Sequence, residues 1–239
     1  MSITEPEFGA FIAVFLRAAA LAATAPVIGD GGVPVRAKLV FVVAIAFAVG
    51  ANREGVSYAD LPATAALELG LGLITGLTAR FVMARVAVAG QLMGLALGLG
   101  FAQQYDPHAG ESAGTVRTLM VTLAGIAFLS AGGLDAVVRS VATGPAHIGD
   151  LAAVGSELLR QGGQAFGHGL MLAAPIVLAA LVGNIGLAVM NRAAPAVNVF
   201  SIAFGCVLIL GGAVLLANAT SLIGGMTEIS REAINVMVG

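Results

Sequence analysis

Long apolar stretches separated by short polar segments dominate the pattern of this chain of 239 residues. Two of the stretches, 37–51 and 86–102, are short and are predicted to be half-spans or helices buried within an assembly. The others are long enough to cross a hydrocarbon core of about 30 Å, since a helix rises about 1.5 Å per residue. These long stretches are 8–28, 61–81, 119–138, 166–190 and 197–223.

Every stretch is predicted to be helical, because lipid admits only helices or closed barrels and no period-2 alternation of barrel strands is present. Hydrophobic residues make up 59% of the chain, charged residues 10%, and the mean hydropathy is +0.99. Soluble domains carry roughly 25% charged residues, so most of this surface must face lipid or apolar protein. The predicted fold class is an all-α polytopic membrane protein. Pro26, Pro62 and Pro175 are predicted to kink or break its helices.

Glycine is abundant, with 33 residues, and it recurs at helical spacing within the apolar stretches. Small residues four apart let helix backbones approach closely, which favours packing where lipid removes the hydrophobic incentive. The partners of these faces are either other helices of this chain or other subunits. The glycines predicted to pack helices are Gly72, Gly76, Gly90, Gly94 and Gly98.

Arg17 and Glu68 are ionisable residues inside apolar stretches. Each costs roughly 2.5–3.5 kcal/mol on insertion scales if it faces lipid, so each is predicted to face protein or water. They can pair with each other or with groups on other chains as structural polar contacts. A proton or ion relay is the alternative, but two groups do not make a path across a membrane.

The polar segment 103–117, with sequence QQYDPHAGESAGTVR, interrupts two apolar stretches. Such a segment is either a surface connector or a loop within a cavity, because irregular backbone at membrane depth needs protein or water around it.

Catalytic and cofactor-binding patterns do not support an enzyme. The sequence has no Gly-rich phosphate loop with its Lys and Ser/Thr, no HExxH and no nucleophile motif. His108, His147 and His168 are scattered singly, which predicts no metal site. No cofactor is expected, and a net charge of −2 gives no reason to expect nucleic acid.

Several motifs in order resemble the FliR/SctT family, a subunit of the flagellar and type III secretion export gate. The opening resembles the family in Arg17, Ala25-Pro26 and Val33-Pro34-Val35-Arg36. The middle is similar in Glu68-Leu69-Gly70-Leu71-Gly72 with Gly76 and Arg80, and in Gly98-Leu99-Gly100-Phe101-Ala102 before Asp106-Pro107. The end is similar in Pro175, Arg192, Pro195 and Asn198-Val199-Phe200.

The resemblance implies a structural subunit of a helical pore assembly that passes unfolded export substrates across the bacterial inner membrane. Its implied partners are FliP-like, FliQ-like and FlhB-like subunits and the lipid bilayer, at the base of a flagellum or injection apparatus. Residues 1–163 would resemble FliP and residues 164–239 the FliQ hairpin. The loop 101–117 would plug the pore, with Phe101, Gln103, Gln104, Tyr105, Asp106, Pro107, Gly110 and Arg117 as its marked residues.

One departure from the family pattern lies after Phe204, where the family has a Pro and a Lys and this chain has Gly205, Cys206 and Val207. A role for that Lys is therefore not carried over. The alternative function is a small-solute secondary transporter, which predicts repeated halves with broken helices around a midplane site. No convincing repeat is present. An intramembrane enzyme would need a nucleophile or metal constellation that the sequence lacks.

Overall fold

A computed structural model describes residues 5–99, 114–143, 147–193 and 199–238. The described chain is helical and contains no strand, which confirms the all-α prediction. Its helices, in chain order, are α1 (Glu5–Thr24), α2 (Val35–Gly50), α3 (Leu61–Ala96), α4 (Thr115–Ser130), α5 (Gly133–Ala142), α6 (Ile148–Ala193), α7 (Val199–Ala217) and α8 (Ala219–Val238).

Helix α3 joins two stretches that the sequence pattern separated. The predicted segments 61–81 and 86–102 form one helix of 36 residues that ends at Ala96. The residues between the two predicted segments, 82–85, include Arg85 but no Gly or Pro, and arginine does not break a helix. Pro62 occupies the first turn of α3, where its missing N–H costs nothing.

Two other stretches are bent rather than straight. The stretch 119–138 is divided between α4 and α5, which meet at an angle of 60°. Gly132 lies at this break with φ 96°, a left-handed conformation that glycine adopts without a Cβ penalty. Helices α7 and α8 meet at 61° around Asn218, whose side-chain amide donates to Val214 O at 2.9 Å.

Helix α6 is longer than its apolar core and does not end at Pro175. It covers 46 residues and starts at Ile148, well before the predicted stretch 166–190. The Asp150 carboxylate accepts a hydrogen bond from the His147 N–H at 2.9 Å, which satisfies one exposed donor at the helix start. Of the other prolines predicted to disturb helices, Pro26 lies just beyond the end of α1.

The chain forms two compact units, each assembled from separate segments. The first unit contains 1–83, 128–164 and 229–239; the second contains 84–127 and 165–228. The core of the first unit gathers α1, α2, α5 and parts of α3, α4 and α8 around buried residues such as Leu21, Ile45, Val82, Phe128 and Met237. The predicted division at residue 163 concerns resemblance to two partners rather than compactness, and it stays a prediction.

Within the described residues, three helices are long and apolar enough to cross a membrane: α1, α3 and α6. The number rises to five if each bent pair is counted as one span. Helix α2, with 16 residues, is not among them. The chain is therefore a multi-helix membrane protein.

Candidate functional site

The structure brings Arg17 of α1 and Glu68 of α3 together in the interior of the first unit. Arg17 Nη1 lies 3.4 Å from Glu68 Oε2, and their side chains are 5% and 1% exposed. Arg53 joins them, with Nη1 3.5 Å from Glu68 Oε1 and a side chain that is 11% exposed. Two guanidinium groups thus flank one buried carboxylate, an arrangement we call the Arg–Glu cluster.

Both arginines also bind the carboxyl end of α5. Arg17 Nη1 donates to Thr143 O at 3.2 Å, and Arg53 Nη2 donates to Val141 O at 2.9 Å and to Thr143 O. The last carbonyls of a helix lack intrahelical donors and carry partial negative charge, so cations there are favourable. The Arg–Glu cluster therefore ties together α1, the segment 51–60, α3 and α5.

Close approach of α3 to α1 places Glu68 within reach of Arg17. A Cβ at Gly72 would lie 2.5 Å from Arg17 O and 3.1 Å from Ala20 Cβ. One turn later, a Cβ at Gly76 would overlap Thr24 Oγ1. Only glycine fits at such separations, so these two positions hold the helices together over the two turns of α3 that follow Glu68.

Arg53 was missed by sequence reasoning, which looked for charges within apolar stretches. It lies in the polar segment between α2 and α3, where an arginine is ordinarily solvated. The short length of that segment could have indicated a role for Arg53, because a short connection keeps its side chains near the ends of α2 and α3.

A second polar contact joins α6 to α8 within the first unit, and the sequence did not predict it. The Gln161 side chain is fully buried, and its Nε2 donates to Glu157 Oε1 at 2.6 Å and to Glu232 Oε1 at 3.0 Å. Arg160 Nε donates to Glu157 Oε2 at 2.8 Å. A single buried amide thus holds two carboxylates from different helices.

In the second unit, Gly90 and Gly94 of α3 face α4. A Cβ at Gly90 would lie 2.7 Å from Arg117 Cα and 3.1 Å from Met120 Cβ, whereas at Gly94 the nearest atom is Val116 Cβ at 3.7 Å. Gly90 is thus a position of backbone contact, and Gly94 has room for a methyl group.

Unlike the other four glycines, Gly98 lies beyond the end of α3 and not on a helix face. Its φ is 73°, its N–H donates to Leu95 O, and the N–H of Leu99 donates to Gly94 O, each at 3.0 Å. This pair of bonds is the Schellman arrangement that ends helices. Gly98 therefore stops the helix just before the segment predicted to be a plug.

Most of the predicted plug lies outside the described residues. That holds for Phe101, Gln103, Gln104, Tyr105, Asp106, Pro107 and Gly110. Arg117, the last residue of the predicted loop, belongs to the first turn of α4 and is half-buried.

The described part of the chain contains no group of three His, Cys, Asp or Glu side chains that could hold a metal ion. The buried Arg17 and Glu68, together with Arg53, bind one another and the end of α5. Such contacts fix the arrangement of helices.

Comparison with known proteins agrees with this structural role. The model of the family described as bacterial export proteins, family 1, matches residues 8–233. The flagellar biosynthetic protein FliR of Escherichia coli K12 is 31% identical over 222 residues, which cover 84% of this chain and 81% of that protein. FliR of Pectobacterium carotovorum is 30% identical over 82% of this chain and 79% of that protein. FliR of Caulobacter vibrioides is 27% identical over 99% of both chains. The chain therefore belongs to the bacterial export proteins, family 1.

Proposed function

We propose that this protein is a structural subunit of the flagellar export gate, which forms part of the conduit for unfolded proteins across the bacterial inner membrane. The observation that carries the proposal is the family match over residues 8–233, together with relatives whose names all refer to flagellar biosynthesis. A small-solute transporter finds no support among these relatives.

The exposure of α6 supports an assembly rather than a chain that works alone. In the most apolar window of α6 only 17% of residues are buried, against 50% in the windows of α1 and α3. Large exposed side chains on this helix include Met171, Leu178, Val182 and Val189. Lipid or apolar subunits must cover this surface. We infer that FliP-like, FliQ-like and FlhB-like subunits cover part of it.

Coexpression tests the assembly. The tagged chain is produced with and without the FliP-like and FliQ-like proteins of its own organism, and monodisperse protein is quantified in detergent. We expect a several-fold higher yield with the partners, which should co-purify in stable excess. Equal yields from the chain alone would contradict the proposal, and a lone purified chain that transports a small solute would favour the transporter.

The plug function of 101–117 is a separate part of the proposal and rests on the sequence. Pro107 lacks an N–H and disfavours helix at Asp106, so the segment must turn there, and Gly110 allows it to move. Helix α3 ends at the Schellman turn of Gly98, three residues before the segment begins. A polar loop with such joints can seal a wet pore and move aside for cargo.

Deletion of 108–114 tests the plug in the full assembly. We expect complex of normal size on a native gel and a membrane that becomes leaky to small ions. The matched control is deletion of Gly31 and Gly32 from the exposed turn between α1 and α2, where neither glycine has a neighbour within 4 Å of an added Cβ. Unchanged conductance in a confirmed complex would make the segment a surface connector.

A further inference from the structure

A cavity of about 400 Å³ lies within the first unit, among α1, α3, α5, α6 and α8. Its polar lining has a buried part, formed by Arg17, Thr75 and Ser140, which are 4%, 5% and 6% exposed. It also has an exposed rim that includes His147 and Asp150. A cavity lined by both polar and apolar residues is suited to an occupant that has both kinds of group.

Two hydroxyl groups of the cavity wall, those of Thr75 and Ser140, are open to an occupant. Neither the Thr75 nor the Ser140 hydroxyl makes a hydrogen bond within the described residues. By contrast, Thr78, one turn along α3, donates to Ile74 O at 2.7 Å. A hydroxyl group that faces a cavity can donate to, or accept from, a polar molecule that enters it.

The charges of the cavity wall form a dipole. The positive end is the Arg17 guanidinium, which shares the single Glu68 carboxylate with Arg53, so that the Arg–Glu cluster keeps a net positive charge. The negative end is the Asp150 carboxylate at the rim. Asp150 uses Oδ2 to accept from the His147 N–H, which leaves Oδ1 for a cation. A ligand with an anionic group followed by a short arm that carries a cation is complementary to this arrangement.

We propose that this cavity binds the zwitterionic head group of an aminophospholipid. The phosphate oxygens accept hydrogen bonds from Thr75, Ser140 and Arg17, and the ammonium group binds Asp150. A phosphate with an ethylamine arm has eight non-hydrogen atoms, and at roughly 30 Å³ each, the liquid volume of a water molecule, it fits the space. Apolar lining residues such as Leu71, Val154 and Met237 suit the glycerol and the first acyl carbons.

A phospholipid is the favoured source of this chemistry because the chain carries several membrane-spanning helices and is therefore surrounded by lipid. Free phosphoethanolamine would provide the same two charged groups but no apolar part to contact the apolar lining. The experiment below distinguishes binding of the lipid from binding of this soluble compound.

Native mass spectrometry of the purified full-length chain, titrated with phosphatidylethanolamine or phosphatidylglycerol, measures the binding. We expect one phosphatidylethanolamine to bind at least tenfold more tightly than phosphatidylglycerol, which has the phosphate but no ammonium. Soluble phosphoethanolamine should compete only weakly. Strong competition by this compound together with no bound lipid would overturn the lipid assignment.

Substitutions locate the binding in the cavity. Thr75→Val with Ser140→Ala keeps the side-chain size and should weaken phosphatidylethanolamine binding about tenfold or more, because hydrogen bonds to charged groups are lost. Asp150→Asn keeps an acceptor for the His147 N–H and should abolish the preference for phosphatidylethanolamine. Ser156→Ala, on the exposed side of α6, is the matched control.

Two results would overturn the proposal. One is equal lipid binding by the control and the double variant, with both folded as judged by their charge-state distributions. The other is cross-linking of a partner subunit's segment to a cysteine placed at Val154 in the complex, which would assign the cavity to a protein.

Discussion

The two compact units of this membrane protein both contain close glycine contacts, but the first adds buried polar contacts that join its helices. In the first unit, buried charged and amide groups join helices, as in the Arg–Glu cluster and the Gln161 contact between α6 and α8. In the second unit, helices meet through glycine: a Cβ at Gly90 would strike α4, and one at Gly211 would overlap the side chain of Leu97. Both means serve where lipid offers no hydrophobic incentive for helices to associate.

Buried ion clusters and glycine contacts differ in how specifically they select which helices meet. A buried ion cluster is expensive to form, and its oppositely charged members fit together in few arrangements, so it can specify which helices meet. Glycine contacts gain dispersion energy from close approach and depend on the fit of surfaces. Substitutions at the buried charges should therefore act by leaving charges uncompensated, and substitutions at the glycine contacts of either unit should act by steric overlap.

The largest effect is expected for Glu68→Ala. Two buried guanidinium groups would lose their carboxylate, and breaking a buried pair costs about 3–5 kcal/mol. Thermal stability of the chain in detergent, followed by size-exclusion chromatography, should fall steeply. Glu54→Ala removes an exposed carboxylate beside Arg53 and is the control. Equal stability of both variants would show that the cluster contributes nothing.

A smaller loss is expected for Gly90→Ala in the second unit. The added methyl group would lie 2.7 Å from Arg117 Cα, and overpacking of this kind costs about 1–3 kcal/mol. Gly186→Ala is the matched control on α6, because nothing lies within 4 Å of its added Cβ and alanine favours helix. The same stability assay should show a loss for Gly90→Ala only. A loss of similar size in both variants would mean that glycine flexibility matters, not close approach.

The smallest effect is expected for Arg139→Ala, which removes an ion pair from the surface of α5. Arg139 Nε lies 2.6 Å from Asp135 Oδ2, but the two side chains are 66% and 65% exposed. Exposed pairs four residues apart contribute only about 0.3–0.5 kcal/mol. A melting temperature close to that of the unaltered chain is predicted. A loss as large as that of Glu68→Ala would remove the distinction between buried and exposed charges.

The presence of helices could be predicted from the apolar composition, because backbone groups in lipid must be hydrogen-bonded within the protein. The apolar stretches do lie in helices. The ends and bends of the helices were harder to predict from the sequence. Apolar runs hid the bends at Gly132 and Asn218, since a change of direction leaves hydropathy unaltered. The prediction divided α3 between residues 81 and 86, but the helix is continuous there: Arg80 pairs with Asp30, and Arg85 is buried.

The candidate site was only partly accessible from sequence. Arg17 and Glu68 stood out because each is costly in an apolar helix, and Gly72 stood out by its spacing. Arg53 and Gln161 did not, because one lies in a polar segment and the other on the polar first half of α6. Their roles depend on contacts over long sequence distances, as between Gln161 and Glu232, which are 71 residues apart.

The central claim is that the buried charges serve assembly and do not carry protons during export. Glu68→Gln tests it most directly, because the amide keeps the size and an acceptor oxygen but cannot be ionised. Assembled complex and secreted flagellar substrate are measured in the same cells. We predict that export per assembled complex is unchanged, even where the amount of complex falls. A normal amount of complex with export abolished would contradict the structural account and establish Glu68 as part of a relay.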